Sequence, residues 1–318
     1  MKILVVGSTN VDFVAEVKHA PLLGETVMCT SFEKFPGGKG ANQAYACGKL
    51  GGDTTFLSVI GDDGLGKMVT DNLGATNVKT NYIKSQEKCP TGMALITVNE
   101  QGDNCIVVVP GANSFCDVDY LLSHHAQIAM ADILLTQLEI PVNASYYALQ
   151  EAKRLGKLTI LNPAPVPEEG IPKEIFKCLD YITPNESEVG KLTGLPVDSQ
   201  DNIMGAAKRL LEWGVKNVIV TMGEQGAMWV DVNNIHVFPA MKRTPVDTTA
   251  AGDTFNAAFA VGLAKGEAVE DALVFANFAA GLAITKKGAQ TSIPSRGEVM
   301  ELMEEHKTFS NAIKPFID

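Results

Sequence analysis

The sequence predicts an α/β protein with a mostly parallel central sheet, helices on both faces of that sheet, and a small β-sheet lid. Residues 2–7 form a continuous β-branched run, as in a buried parallel strand. From residue 117 onward, strand-like and helix-like stretches alternate regularly. Two pairs of strand-like runs lack a helix between their members and indicate a second sheet. We therefore expect one three-layer domain over residues 1–318.

Charge and cysteine usage narrow the functional class. The formal net charge of −11 at pH 7 argues against nucleic acid as a partner. The six cysteines are scattered and form no C-x-x-C pair, so a zinc site or a disulfide framework is not expected. No stretch approaches the ~18 uninterrupted apolar residues of a membrane-spanning helix, and the N-terminal apolar run is too short for a signal peptide. We expect a cytoplasmic protein with no membrane partner.

A polar segment, residues 8–12, follows the first strand and contains Asn10 and Asp12. Open α/β sheets bind ligands just beyond the carboxyl ends of their strands, so both side chains are candidates for ligand contacts. Asn and Asp also favour turns, and the local sequence leaves both interpretations open.

The predicted lid consists of strand-like runs inserted at about residues 13–35 and 91–109. Pro21 and Gly24 divide the first insertion into runs at residues 13–17 and 26–32. A polar loop that contains glycine divides the second insertion, as in a hairpin. A small sheet inserted between βαβ units is a plausible lid or oligomer contact.

A glycine-rich segment, residues 35–43, leads into a predicted helix at residues 41–50. Its three glycines permit close approach of the backbone to a ligand. Lys39 and Asn42 are three residues apart and can share one face of the helix. The pattern Gly-Gly-Lys-Gly-x-Asn favours a binding role over a plain turn.

Residues 54–60 are predicted as a strand, and residues 61–68 after them nearly match a P-loop. Met68 stands where that motif needs a Ser or Thr to hold magnesium. We interpret the segment as a strand-to-helix turn with acidic capping residues.

Polar residues recur just after the predicted strands. They are Asn10, Asp12, Glu139, Asn185, Glu188, Thr221 and Gly223. Because parallel strands end on the same edge of a sheet, these residues should lie close together and form an active site. Glu188 has two possible roles, which are binding of Mg²⁺ through water and capping of the helix that it opens.

In the segment at residues 246–256, two alanines and a glycine immediately precede Asp253. An apolar, alanine-rich run that is predicted as a helix follows Asp253. The first N–H groups of a helix have no partner, so such an end attracts an anion. An ordinary helix capped by Asp253 is the alternative.

These motifs together resemble the ribokinase-like carbohydrate kinase family, in family order and over nearly the whole chain. The resemblance rests on Gly7-x-x-Asn10-x-Asp12, residues 37–42, Asn185-x-x-Glu188 and residues 247–253. It implies ATP-dependent phosphorylation of D-ribose at the 5-hydroxyl. One departure is Ala250, where the wider family often has glycine.

The resemblance implies a role for each motif. Asp253 would be the general base, and the backbone N–H groups of Ala250, Ala251 and Gly252 would form an anion hole for the phosphoryl group. The implied sugar-binding residues are Asn10, Asp12, Gly38, Lys39, Gly40, Ala41, Asn42, Glu139 and Asp253. The implied nucleotide-binding residues are Asn185, Thr221, Gly223, Gly226, Gly252 and Asn277.

Two cations and a homodimer are also implied. Glu188 would organise the Mg²⁺ that accompanies ATP, acting through water. K⁺ or another monovalent cation would activate the enzyme at a site formed by Asp247, Thr249, Ala283, Lys286, Gly288 and Ser292. Lys286 could contribute only its backbone carbonyl, because its ammonium group would repel a cation. The lid strands would close over ribose and pair two subunits.

Two alternatives remain open. One is a related sugar or nucleoside kinase, such as a deoxyribokinase, a fructokinase or an adenosine kinase. The other is a sugar-binding sensor without catalytic activity, against which the intact Asp253 and its preceding glycine argue.

Overall fold

A computed structural model describes residues 1–306 and 314–315 of the chain. Its strands are β1 (Lys2–Val6), β2 (Asn10–Glu16), β3 (Ser31–Gly37), β4 (Asp53–Leu57), β5 (Val59–Gly61), β6 (Val78–Lys79), β7 (Lys84–Gln86), β8 (Gly92–Val98), β9 (Asn104–Val109), β10 (Ile133–Thr136), β11 (Leu158–Leu161), β12 (Tyr181–Ile182), β13 (Asn217–Thr221), β14 (Ala227–Val230), β15 (Ile235–Phe238) and β16 (Lys314–Pro315). Its α-helices are α1 (Lys39–Lys49), α2 (Gly64–Gly74), α3 (Val118–Ser123), α4 (His125–Met130), α5 (Val142–Arg154), α6 (Lys173–Phe176), α7 (Glu186–Thr193), α8 (Gln200–Glu212), α9 (Ala251–Ala264), α10 (Val269–Ala283) and α11 (Arg296–Glu305).

The central sheet has ten strands in the order β16-β15-β14-β13-β12-β11-β10-β1-β4-β6. All neighbours from β13 to β6 pair in parallel, and the edge formed by β14, β15 and β16 is antiparallel. The predicted mostly parallel sheet is therefore confirmed. In the part of the chain that the structure describes, no helix is long and apolar enough to cross a membrane.

Strand β1 shows why the molecule has three layers. Ile3 and Val5 belong to one buried cluster, and Leu4 and Val6 belong to another. Successive side chains of a strand point to opposite faces, so a strand that is apolar at every position needs cover on both faces. Helices α1, α9 and α10 contribute to the first cluster, and α5 and α8 contribute to the second.

The lid is a separate four-stranded sheet in the order β3-β2-β8-β9. Strand β2 pairs with β3 antiparallel and with β8 parallel, and β8 and β9 form an antiparallel hairpin. Side chains on one face of this sheet line a cleft against the main body, whereas alternate side chains such as Leu95 and Val107 point outward and are exposed.

The structure decides one open alternative and corrects two expectations, which concern residues 26–32 and the strand at 54–60. Residues 10–12 do not form a turn, because Asn10 pairs with both β3 and β8 and begins strand β2. Residues 26–30 lie outside any strand, because pairing with β2 ends at Ser31. The predicted strand at 54–60 is two strands, since Ser58 leaves the sheet and bonds through its hydroxyl to the Gly7 carbonyl.

Two helix starts also differ from expectation. Helix α1 begins at Lys39 rather than at residue 41, directly after Gly38. Asp253 does not cap α9, because the cap position belongs to Ala250 and Asp253 is the third residue of the helix. The acidic cap expected in the P-loop-like segment is confirmed, since the Asp63 carboxylate accepts a bond from the Gly66 N–H.

Candidate active site

Three clefts meet at the start of α9. The lid cleft, of about 720 Å³, lies between the inner face of the lid and the main body. The α10 cleft, of about 970 Å³, lies beside α10 and residues 240–245. The junction cleft, of about 230 Å³, connects them, because it shares Asp253 with the lid cleft and Ala251 with the α10 cleft. A group in the lid cleft and a group in the α10 cleft can therefore meet at this helix end.

The helix end presents backbone N–H groups to the junction cleft. Ala250 has φ 60, in the left-handed region, which costs an alanine roughly 1 kcal/mol relative to glycine. The N–H groups of Ala250 and Gly252 have no acceptor among the described residues, whereas that of Ala251 bonds to the Thr248 carbonyl at 3.2 Å. Successive amides around a left-handed residue form a concave anion site. Two of the three expected anion-hole donors are thus free.

The Asp253 carboxylate lies beside these amides and is 7% exposed. The side-chain amide of Asn42 donates to its Oδ2 at 2.9 Å, and the side-chain amide of Gln43 donates to its Oδ1 at 2.9 Å. Both donors come from α1, which packs against α9. A buried carboxylate held by two neutral donors beside an anion site can accept a proton from a hydroxyl placed there.

The lid cleft contains a cluster of polar side chains from three separate segments. Asn10 and Asp12 reach it from β2, Lys39 from α1, and Glu139 from the segment after β10. Glu139 is fixed by bonds from the Ser8 hydroxyl at 2.6 Å and the Lys39 backbone N–H at 3.1 Å. The Asp12 carboxylate receives no hydrogen bond from any other described side chain. It is therefore free to bind a ligand.

Burial and neighbouring charges shift the pKa values of Asp12 and Lys39 in the lid cleft. Burial first, and then the charges of Glu139 and Asp253, raise the pKa of Asp12 from 3.8 to about 7. Burial alone would lower the pKa of Lys39, but the surrounding carboxylates, with Asp253 the strongest, raise it overall. The four carboxylates of Asp12, Glu139, Glu188 and Asp253 around the Lys39 ammonium group suit a ligand rich in hydroxyls, which can donate to them.

The glycine-rich segment owes its composition to close backbone packing. Gly38 has φ +88, and an added Cβ would lie 2.6 Å from the Asn10 backbone nitrogen. At Gly40 an added Cβ would lie 2.5 Å from the Gly7 carbonyl carbon. Gly38 lines the lid cleft, whereas Gly40 and Ala41 are buried behind it. A sugar contact by these two residues stays a prediction.

Glu188 lines the junction cleft at the start of α7, and it does cap that helix. Its Oε2 accepts from the Asn185 backbone N–H at 2.9 Å, and the Asn185 side chain accepts from the Glu188 N–H at 2.8 Å. Burial raises the pKa of Glu188. Its Oε1 has no partner among the described residues, so the capping role leaves one oxygen free to bind a hydrated Mg²⁺.

The expected nucleotide residues separate into three groups. Gly223 and Asn277 line the α10 cleft. Thr221, Asn185 and Gly252 line the junction cleft instead. Gly226 is buried at φ +96, and an added Cβ would lie 2.0 Å from the Phe238 carbonyl oxygen, so it is required by the turn before β14. Its contact with a nucleotide stays a prediction.

Two loops that carry the expected monovalent cation site lie side by side. The Asp247 carboxylate accepts from the backbone N–H of Thr249 at 2.8 Å and from that of Gly288 at 2.9 Å. Burial alone would raise the pKa of Asp247, but these bonds lower it. The Lys286 ammonium group bonds to Glu298, away from the loops. Ser292 is buried, and its hydroxyl donates to the Ala289 carbonyl.

The loop after α10 also contacts the lid. The Lys287 ammonium group lies 2.9 Å from the Glu16 carboxylate on β2 and 3.2 Å from the Glu33 carboxylate on β3. Both carboxylates belong to the face of the lid that lines the lid cleft. Lys287 therefore joins the inner face of the lid to the main body.

Residues 1–296 match the family described as pfkB family carbohydrate kinase. The chain belongs to this family. It is 38% identical over 303 residues to the ribokinase of Staphylococcus aureus, covering 95% of this chain and 99% of that relative. It is 37% identical over 296 residues to the deoxyribokinase of Salmonella typhimurium, covering 93% and 96% of the two chains. The structure of Arabidopsis thaliana ribokinase complexed with ribose and ATP is similar, with a TM-score of 0.87 and 34% identity, and the match covers 95% of this chain and 98% of that one.

Sequence reasoning missed several residues of this carbohydrate kinase site. Gln43, which lies inside the glycine-rich segment, donates a hydrogen bond to Asp253. Asn162, Thr183 and Asn256 line the junction cleft. The signal that could have identified Asn162 is its position immediately after strand β11, at the same sheet edge as the other polar residues.

Proposed function

We propose that this carbohydrate kinase transfers the γ-phosphoryl group of ATP to the 5-hydroxyl of D-ribose. The observation that carries the proposal is the position of Asp253, where the three clefts meet beside free backbone N–H groups. The similarity to ribokinases of other organisms supports the choice of sugar and nucleotide.

In this proposal the sugar occupies the lid cleft and the nucleotide occupies the α10 cleft. Asp12, Lys39 and Glu139 bind sugar hydroxyls, with Asn10, Gly38 and Asn42 beside them. Asp253 accepts the proton of the attacking hydroxyl. The N–H groups of Ala250 and Gly252 stabilise the charge of the phosphoryl group in flight, and that of Ala251 joins them when its long bond to Thr248 opens.

Mg²⁺ and a monovalent cation complete the proposal. Mg²⁺, when bound with ATP, neutralises phosphate charge, and the free Glu188 oxygen orients it through water. Among the described residues no group of three or more His, Cys, Asp or Glu side chains could hold a metal ion. A Mg²⁺ that keeps several waters and is carried by the phosphates would need few protein ligands, and Glu188 would supply one of them through water. The monovalent cation would bind carbonyl oxygens of the two loops that Asp247 joins, next to the anion site.

A panel of sugars tests the proposal. ATP consumption should be measured with D-ribose, 2-deoxyribose, fructose and adenosine, each with K⁺ or with Na⁺. We expect the highest kcat/KM for ribose and a higher rate in K⁺. The absence of turnover with any pentose would refute the proposed function. Equal rates in both salts, and in a salt of a large organic cation, would refute the cation site alone.

The role of Asp253 needs its own variant. Asp253→Ala should lower kcat by at least on the order of 10³-fold while sugar binding, measured by calorimetry, persists, because the base is lost and the polar cluster remains. Asp62→Ala, at an exposed aspartate outside the three clefts, is the matched control and should retain the wild-type rate. A wild-type rate in Asp253→Ala would exclude this residue as the base.

A second candidate substrate is 2-deoxyribose, which is favoured by the similarity to the deoxyribokinase of Salmonella typhimurium. A site that hydrogen-bonds a sugar hydroxyl rejects a sugar that lacks it, because a buried polar group then stays unpaired. The ratio of kcat/KM for the two pentoses separates the candidates. A ratio above about 10² in favour of ribose would exclude a deoxyribokinase.

We also propose a homodimer formed through the lid, in a reducing cytoplasm. The outward side chains Phe32, Leu95 and Val107 are 54%, 48% and 62% exposed. Apolar side chains grouped on one face of a sheet favour a partner surface. Val107→Lys should shift sedimentation towards a monomer, whereas Val232→Lys, at an exposed turn outside the lid, should not.

The cysteines bear on the proposed compartment. The six cysteines are all free thiols, which suits a reducing compartment.

A further inference from the structure

Behind the Asp253 carboxylate lies a chain of buried side-chain amides that the proposed chemistry does not use. Gln43 is 0% exposed and lines none of the three clefts. Its Nε2 donates to Asp253 Oδ1 at 2.9 Å and to Asn162 Oδ1 at 3.1 Å. Its Oε1 accepts from Gln137 Nε2 at 2.6 Å. Gln43 therefore makes three hydrogen bonds, and one of them holds the base.

The chemistry of the neighbours fixes the direction of the Gln43 amide. The Thr183 carbonyl can only accept, so Asn162 turns its Nδ2 towards it at 3.2 Å and its Oδ1 towards Gln43. An ionised Asp253 can also only accept. Both neighbours thus require the nitrogen of Gln43. The third neighbour, Gln137, donates to the remaining oxygen.

The two donors to Asp253 have different positions. Asn42 lines the lid cleft and donates to Oδ2, so we infer that Oδ2 is the oxygen on the cleft side. Gln43 holds Oδ1 from the protein interior. The χ2 torsion of an aspartate is intrinsically soft, so a hydrogen bond at the inner oxygen restrains the carboxylate and keeps its outer oxygen directed towards the cleft. An incoming hydroxyl can replace Asn42 at the outer oxygen without releasing the carboxylate.

We propose that Gln43 is a positioning residue for phosphoryl transfer, held in place by Gln137, and that it fixes the Asp253 carboxylate for attack by the sugar hydroxyl. This inference rests on the proposed role of Asp253 as base. Gln43 touches no substrate, so its loss should affect the rate of the chemical step and leave substrate affinity largely unchanged. A purely structural role would lower stability and leave kcat per folded molecule unchanged.

Gln43→Met removes the N–H groups that donate to Asp253 and Asn162 and keeps a side chain of similar length. We expect kcat to fall on the order of 10- to 100-fold, because a misplaced catalytic group costs about that much. The KM values for sugar and ATP should stay within about threefold of wild type. Thermal unfolding and calorimetric sugar binding measure the folded fraction separately. An unchanged kcat per folded molecule, or a loss confined to KM, would overturn the proposal.

Gln137→Met is the second variant, which keeps the bonds of Gln43 to Asp253 and Asn162 and removes only the bond that Gln43 accepts from Gln137. It should lower kcat less than Gln43→Met does, with the same KM values. If Gln43→Met does not fold, a wild-type kcat in Gln137→Met would overturn the proposal.

A double variant separates this inference from the proposed function. In an Asp253→Ala background, Gln43→Met should change the residual rate less than twofold, since no carboxylate remains to be positioned. A further tenfold loss would show that Gln43 acts elsewhere and would refute the inference. If Asp253→Ala itself retains the wild-type rate, the assignment of Asp253 as the base fails together with the inference, whereas the proposed function fails only if wild type does not turn over any pentose. If Asp253→Ala is inactive and Gln43→Met is fully active, only the inference fails.

Discussion

Asp12→Asn is expected to raise the free energy of unfolding of this kinase and to weaken sugar binding. The pKa of Asp12 rises from an ordinary value of 3.8 to about 7 in the folded protein, through burial first and the charges of Glu139 and Asp253 second. A difference of one in pKa corresponds to about 1.4 kcal/mol, so the ionised carboxylate costs the folded state about 4 kcal/mol at pH 8. The Asn side chain of the variant still carries part of the cost of burying a polar group. We therefore expect the free energy of unfolding to rise by about 1–4 kcal/mol.

The gain in stability should depend on pH in a defined direction. Below about pH 4, Asp12 is protonated in both the folded and the unfolded state, so wild type and variant should have similar stability. Between about pH 4 and 7 the unfolded chain loses this proton first, and the wild type loses stability relative to the variant. Above about pH 7 both states are ionised, and the difference becomes constant.

Urea denaturation at several pH values between about 4.5 and 8 measures the gain, provided that the m-value does not change. The exposed Asp62 supplies a control, because Asp62→Asn should leave stability nearly unchanged at every pH. A gain that is independent of pH, or a loss of stability at pH 8, would contradict the assignment of the raised pKa to Asp12.

The same substitution should raise the KM for the sugar at least on the order of tenfold at pH 8, because hydrogen bonds to a charged group contribute about 1.5–3 kcal/mol. Wild-type KM should also rise as the pH falls below about 7, since protonated Asp12 loses acceptor capacity. In the variant this dependence should disappear. A variant that keeps the wild-type KM at pH 8 would remove Asp12 from the sugar site.

Two further substitutions test other parts of the site by steady-state kinetics and denaturation. Gly252→Ala should lower kcat on the order of tenfold or more, because Gly252 lines the junction cleft and a methyl group there would take space needed by the phosphoryl group. Its stability should not fall, because an added Cβ has no atom within 4 Å outside the local helix backbone. Gly205→Ala, equally open in the middle of α8, should raise stability by about 0.5–1 kcal/mol and keep kcat. A wild-type kcat in Gly252→Ala would contradict the anion hole. Lys287→Ala should raise the sugar KM severalfold at low salt and little at high salt, because it removes the ion pairs that join the lid to the main body. Lys67→Ala, which removes an ion pair outside the lid, should leave this KM unchanged. An unchanged KM at low salt would show that sugar binding does not depend on the ion pairs of Lys287 with the lid.

Much of the site could be predicted because its residues stand in local patterns. Asn10, Glu139 and Glu188 lie at the edge where parallel strands end, and the alternation of strands and helices is enough to place that edge. Residues 250–253 could be recognised as a helix start with bare amides, because small residues before an apolar helix are a local signal. The exact start of α9 could not be predicted. Ala250, not Asp253, occupies the cap position, and nothing in the local sequence indicates that an alanine adopts a left-handed conformation.

The sequence alone determined the fold class, the parallel sheet, the inserted lid and the residue types that surround the start of α9. Apolar residues that face a core recur every two residues in a strand and about every 3.6 residues in a helix, and these repeats are visible in any short stretch of sequence. Tertiary structure alone decided the contact between Gln43 and Asp253, which are 210 residues apart. It also decided the raised pKa of Asp12, because burial and charge depend on distances in space between segments that are remote in the chain.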